Sequence, residues 1–201
     1  MKRCNPVRIF RVILFALLFL PWLSCVPGRQ EVERNQRGWI ERAVEQAREE
    51  EAPDRRLEVF DIDWQLREGQ LILSGEVSEE ASRVFLLNVL ESSPFDFEIV
   101  DRIRELPEAE LGERTRGVVQ VSVANLRREA AHPAELVTQL LLGMEVRILR
   151  KKGSWIYIQG PDQYLGWTES ASVASLAEPE LREWHSLPEL MVTERWGVVR
   201  E

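Results

Sequence analysis

The chain has 201 residues, of which 44% are apolar and 30% charged, and a formal net charge of −8. That composition is globular and leaves room for one or two domains. The acid excess argues against nucleic acid as a partner, because phosphates would be repelled.

Lys2, Arg3, Arg8 and Arg11 form a basic leader ahead of an uninterrupted apolar run from Val12 to Leu20. The run is too short to span a membrane and fits a secretory signal over residues 1–24. Its removal takes four of the 26 bases and none of the 34 acids, so the exported chain is more acidic still. The only cysteines are Cys4 and Cys25. Cys4 leaves with the leader, so no disulfide is expected within one mature chain. Trp22-Leu23-Ser24-Cys25 resembles a lipobox, with Trp where Leu is usual. The resemblance implies lipidation of Cys25 and a membrane anchor. Ordinary signal cleavage nearby is the alternative.

Residues 25–37 read as a tether, with Pro27 and Gly28 near its start. Trp39, Ile40, Ala43, Val44 and Ala47 then recur at helical spacing and predict a helix from about Trp39 to Glu51. The acids Glu49–Glu51 are a solvated, fraying helix end. Phe60, Ile62, Trp64 and Leu66 alternate with polar residues as a half-buried strand, and Leu71, Leu73, Gly75 and Val77 continue it as a hairpin. Ser78 reads as the N-cap of a helix carrying Ala81, Val84, Phe85, Val89 and Leu90, which must stop before Pro94. Phe95, Phe97 and Ile99 read as a third strand, with Trp39 and Trp64 in the core. This α-β-β-α-β order, with Leu71-x-Leu73-x-Gly75-x-Val77 at its centre, resembles a BON-like module over residues 38–104, a small α/β sandwich common in bacterial envelope proteins. Residues 105–116 are a short charged linker.

From Gly117 the pattern changes to short extended runs punctuated by Gly and Pro: Val118–Val123, Leu136–Leu142, Met144–Arg150, Trp155–Ile158 and Tyr164–Trp167. Five strands at that spacing indicate a small β-barrel. The fold class is therefore α+β, a small α/β sandwich followed by an SH3-like β-barrel. The strings Val121-Ser-Val-Ala-Asn-Leu-Arg127, Ala134-Glu-Leu-Val-Thr-Gln139, Leu142-Gly143, Gly153-Ser-Trp155 and Tyr164-Leu-Gly-Trp167 resemble a bacterial SH3 (SH3b) domain over residues 117–170. They are similar to the one that precedes NlpC/P60 cysteine peptidases, which cut peptidoglycan stem peptides. In residues 171–201, Glu178–His185 is helical from Pro179. Leu190–Thr193 and Trp196–Val199 read as extended, where the resembling peptidases begin a second SH3b domain.

An NlpC/P60 peptidase needs a cysteine thiolate, a histidine base and a group orienting the ring. No Cys follows Cys25, and His132 and His185 have no nucleophile beside them. Two distant histidines do not make a zinc site, so neither catalysis nor a metal or cofactor is expected. What the resemblance implies is recognition of the stem peptide's N-terminal end by Glu135 and Tyr164; Arg127 and His132 are further candidate ligand contacts. A carboxylate can pair with a free amine, and a phenol offers a ring face and a hydrogen bond. The plainer readings make Glu135 a solvated loop acid, Arg127 a structural residue, and Trp155 and Trp167 barrel core. The loop usually reading Arg-x-Glu-Pro-Ser-His is here Arg127-Arg-Glu-Ala-Ala-His132, and the usual Asp-Gly-Tyr is Asp162-Gln-Tyr164. Loss of Pro and Gly is expected to reshape both loops. The expected protein is exported and non-catalytic, held in the cell envelope by a lipid on Cys25, and binds peptidoglycan or docks on a separate peptidase domain. The alternatives are a truncated NlpC/P60 endopeptidase and a structural attachment protein.

Overall fold

Period-two alternation builds the first sheet. In the computed structural model, which describes residues 29–188, Phe60–Arg67 forms β1 and Gln70–Val77 forms β2, an antiparallel hairpin with Trp64 opposite Leu73 and Phe60 opposite Val77. β3, Glu98–Glu105, pairs parallel to β2, so the order is β1-β2-β3. One sheet face carries Phe60, Ile62, Leu71, Leu73, Val77 and Ile103, and these share a single core with Ile40, Val44 and Ala47 of α1 (Arg29–Glu51) and Leu86 and Leu90 of α2 (Glu80–Glu91). Gly75 has φ +118°, and a side chain there would overlap the Asp61 carbonyl on β1. Only glycine fits this close approach.

Several sequence expectations are corrected. α1 begins at Arg29, inside the segment read as a tether. Ser78 is not a helix cap. It is buried, its Oγ accepts the Val59 N–H at 3.0 Å, and Glu79 precedes the helix without a side-chain cap. α2 buries Ser82, Leu86 and Leu90 and packs Phe85 and Val89 against the same core, but Val84 is 46% exposed and Ala81 is exposed too, so those two leave the expected stripe. Phe95 and Phe97 lie before the third strand, where both rings meet Trp39. Trp39 and Trp64 are half-buried against the core rather than within it.

The barrel has seven strands where the sequence suggested five. They are β4 (Arg116–Val119), β5 (Val123–Arg127), β6 (Leu136–Leu141), β7 (Glu145–Lys152), β8 (Trp155–Gln159), β9 (Leu165–Glu169) and β10 (Val173–Leu176), in the order β10-β4-β7-β8-β9-β5-β6. The run Val118–Val123 breaks because the chain changes neighbours there. β4 pairs with β10 and β7, whereas β5 pairs with β6 and β9. At the break, Gln120 donates its backbone N–H to Ser172 and its side-chain amide to Ala171. β10 lies past the boundary at 170 and is only four residues long, too short for alternation alone to show it. Ile148, Ile156, Ile158, Leu126 and Leu140 fill the interior. Gly166 lies under Leu126, where a Cβ would come within 2.8 Å of the Leu126 Cβ. α3 is Glu178–His185, as expected, with the Glu180 carboxylate accepting the Ala177 N–H at 2.7 Å.

Among the described residues, the chain from Arg37 onward is one compact unit, and the two modules share a built junction. A bulge in β7 between Ile148 and Arg150 supplies it. Ile148 points into the barrel core, while the extra residue, Leu149, is fully buried in a second cluster with Leu106 and Leu165 and packs against Val59 and Tyr157. Leu165 donates its N–H to the Arg56 carbonyl at 2.7 Å, and Gln159 donates its side-chain amide to the Leu57 carbonyl at 2.8 Å. Arg147 donates to Glu79 and to the Ser78 and Leu106 carbonyls, and Arg150 pairs with Glu76 at 2.7 Å. The segment 105–116 is thus part of the packing. Its Leu106 is buried, and Glu108 donates its N–H to the Leu149 carbonyl.

No described helix is long and apolar enough to cross a membrane. The expected leader, Cys25 and the extended segments 190–193 and 196–199 lie outside the described residues.

Candidate ligand-binding face of the barrel

Strand alternation sends Ile156 and Ile158 of β8 inward and Trp155, Tyr157 and Gln159 outward. On β9 the outward set is Leu165, Trp167 and Glu169. Register aligns these residues in rows. Arg150 of β7 lies opposite Tyr157, Tyr157 opposite Trp167, and Trp167 opposite Arg127 of β5. The Tyr157 and Trp167 rings sit 5.1 Å apart, and the Arg150 guanidinium lies 5.2 Å from the Tyr157 ring. Guanidinium over a ring face is favourable, more so where water is partly excluded. Burial raises the Tyr157 hydroxyl pKa, and Arg150 opposes that rise. The next row is Lys152, Trp155 and Glu169.

The loop 128–135 closes over one side of this face. Its base is tied by the Arg128 N–H to the Glu135 carbonyl at 2.9 Å, and by Arg127 Nη1 to the Ala134 carbonyl at 2.8 Å. Arg127 is therefore held structurally, in line with its plainer reading, although one bond leaves most of its donors unused. Glu135 is exposed and pairs with Arg128 at 3.0 Å, as a solvated loop acid would. His132 packs on Trp155 with centroids 5.1 Å apart, and its Nε2 lies 3.5 Å from a Glu169 oxygen.

Tyr164 stands apart from the other three candidates. It lies on the β8–β9 turn, its ring 5.6 Å from the guanidinium of Arg56, which belongs to the first module. Arg56 is itself clamped by Asp54 at 2.7 Å, and that bond holds the Asp54 carboxyl at about 2. Among the described residues, no hydrogen bond or ring contact joins Tyr164 to Arg127, His132 or Glu135. The turn keeps a left-handed residue although glycine is absent: Gln163 has φ 67°, and Asp162 Oδ1 accepts the Tyr164 N–H at 3.2 Å. With no glycine in the turn, Gln163 itself takes the left-handed conformation, at the cost of strain.

Trp155 and Trp167 correct their expected role. Both are half-buried on the outer face, and neither joins an apolar cluster of the described residues. Tyr157 and Arg56 were missed. Tyr157 alternates with Trp155 at period two, a signal the sequence held. Arg56 follows from no local pattern, because it reaches the site from another module. No group of three His, Cys, Asp or Glu side chains among the described residues could hold a metal.

A family model described as the bacterial dipeptidyl-peptidase Sh3 domain matches residues 126–173, from the end of β5 to the start of β10. The match supports an SH3b barrel over this stretch. No curated protein matches the chain. The SH3b match lies on a binding domain rather than a catalytic one, and it includes Trp155, Tyr157, Tyr164 and Trp167.

Proposed function

We propose that this protein works in the cell envelope, where its SH3b barrel attaches it to peptidoglycan. The supporting observation is the overlap between the family match and the aromatic and charged outer face of β8 and β9. Glu135 would meet the amine of a stem peptide, with Arg127 and His132 as further contacts at the same loop and Tyr164 as a separate contact on the β8–β9 turn. A basic leader, a short apolar run and Cys25 support export and a lipid anchor. The chain brings binding and no chemistry of its own.

The test is co-sedimentation of residues 26–201 with purified sacculi at low and moderate salt. The protein should pellet with the wall. Protein that stays in the supernatant while a wall-binding control pellets would end this reading.

Docking on a separate wall hydrolase is a second reading. It draws on β6, a terminal strand of the barrel sheet with Leu136 and Leu141 about half exposed and Leu142 exposed just beyond. Edges of this kind pair with other chains. The first module, similar in element order to BON-like attachment units, would orient the barrel.

A further inference from the structure

On a half-solvated antiparallel face, outward positions are ordinarily polar. On β8 and β9 four of the six outward positions are apolar or aromatic: Trp155, Tyr157, Leu165 and Trp167. The module junction accounts for Tyr157 and Leu165, which pack with Leu106, Leu149 and Val59. The two tryptophans belong to neither apolar cluster of the barrel among the described residues. Their ring partners are His132 for Trp155 and Tyr157 for Trp167. The register makes them diagonal neighbours on one face, since Trp155 is opposite Glu169 and Trp167 is opposite Tyr157. Such positions are about 7–8 Å apart, within reach of one extended ligand.

The surroundings are polar and of mixed sign. Lys152 adjoins Trp155 and makes no ion pair among the described residues. Arg127 adjoins Trp167, and Glu169 adjoins Trp155. A pyranose ring has one face rich in C–H groups and a rim of hydroxyls and amides. It can lie flat on an indole while its rim meets flanking donors and acceptors. The chain's net charge of −8 disfavours a polyanionic polymer.

We propose that Trp155 and Trp167 form a stacking platform for the amino-sugar glycan of the wall, with Lys152, Arg127 and Glu169 contacting its polar rim. This rests on the wall-binding reading and adds that the sugar backbone, rather than the stem peptide alone, carries the affinity.

The experiment uses residues 26–201 with three wall probes, namely intact sacculi, sacculi stripped of stem peptides by an amidase, and free stem peptides, and with soluble chitotetraose for the NMR arm. Indole N–H signals followed by NMR report on wild-type protein directly, so no variant has to fold for the first reading. Soluble chitotetraose should shift the Trp155 and Trp167 signals and leave Trp184 of α3 still. Trp155→Ala and Trp167→Ala, each checked for folding, should weaken binding to stripped glycan about tenfold per ring, with Trp184→Phe unchanged. Binding to intact sacculi and stem peptides but not to stripped glycan would overturn the platform and leave the wall reading standing. Glycan binding that ignores both tryptophans would overturn it too, as would a proline-rich peptide shifting these signals where glycan does not. Failure with all three wall probes would end both proposals.

Discussion

Gln163→Gly should stabilise the protein. Gln163 is held at φ 67°, in the left-handed region. That conformation costs a side-chain-bearing residue about 1–2 kcal/mol, because Cβ crowds the carbonyl oxygen. Glycine escapes the crowding but raises the entropy of the unfolded chain, a loss of about 0.5–1 kcal/mol. The bonds that define the turn are backbone ones and survive: Gln163 N–H to the Gly160 carbonyl at 3.0 Å, and Gly160 N–H to the Tyr164 carbonyl at 3.0 Å. The only side-chain bond lost, from Gln163 to the Pro161 carbonyl, is 3.5 Å long and contributes little. The net gain is about 0.5–1 kcal/mol, which for a chain of this size raises Tm by about 1–4 °C. Thermal unfolding followed by circular dichroism measures it. Gln163→Val, a branched residue in the same turn, should lower Tm instead. A lower Tm for the glycine variant together with an unchanged Tm for valine would refute a strained left-handed residue at this turn.

Leu149→Ala removes the bulged residue that fills the module junction and should cost about 2–4 kcal/mol in urea unfolding, whereas a solvent-facing Leu149 would cost almost nothing. Gly75→Ala should cost at least about 2 kcal/mol, since φ +118° and the Asp61 carbonyl both oppose a side chain, and an unaltered urea midpoint would rule out that approach. The Glu58 carboxyl is pushed above the usual range, first by burial and then by Glu79 and Glu51, and one of its oxygens has no hydrogen-bond partner. A raised carboxyl favours the folded state below about pH 4.3, where an unfolded-chain Glu protonates, and that contribution is lost as pH rises through the folded pKa. Glu58→Gln should therefore raise Tm at pH 7 and lose its advantage near pH 4, while a Tm gain that is flat with pH would point to another cause.

The hairpin 60–77 was readable because one face is buried and the other wet, so alternation reports it directly. α3 was readable from Pro179 at its start. The face of α2 is legible through Phe85, Val89 and Leu90 but not throughout, because Ser82, a polar residue, is buried while Val84 is exposed, the reverse of what hydropathy suggests. The barrel strings located β6 to β9, but not the neighbour exchange at residues 120–122 or β10, since both depend on which strands meet. The loop base around Arg127 and the separation of Tyr164 from Glu135 depend on tertiary packing. So does Leu149, whose outward turn comes from a bulge that no periodicity predicts.

The most direct test of the account is a backbone NMR titration of residues 26–201 with soluble wall fragments that carry both sugar and stem peptide. Shifts concentrated on the loop 128–135, on β8 and on β9, with the sheet of the first module unaffected, are the predicted result. Saturating fragments that leave the barrel spectrum unchanged, or that shift only β1 to β3, would contradict it.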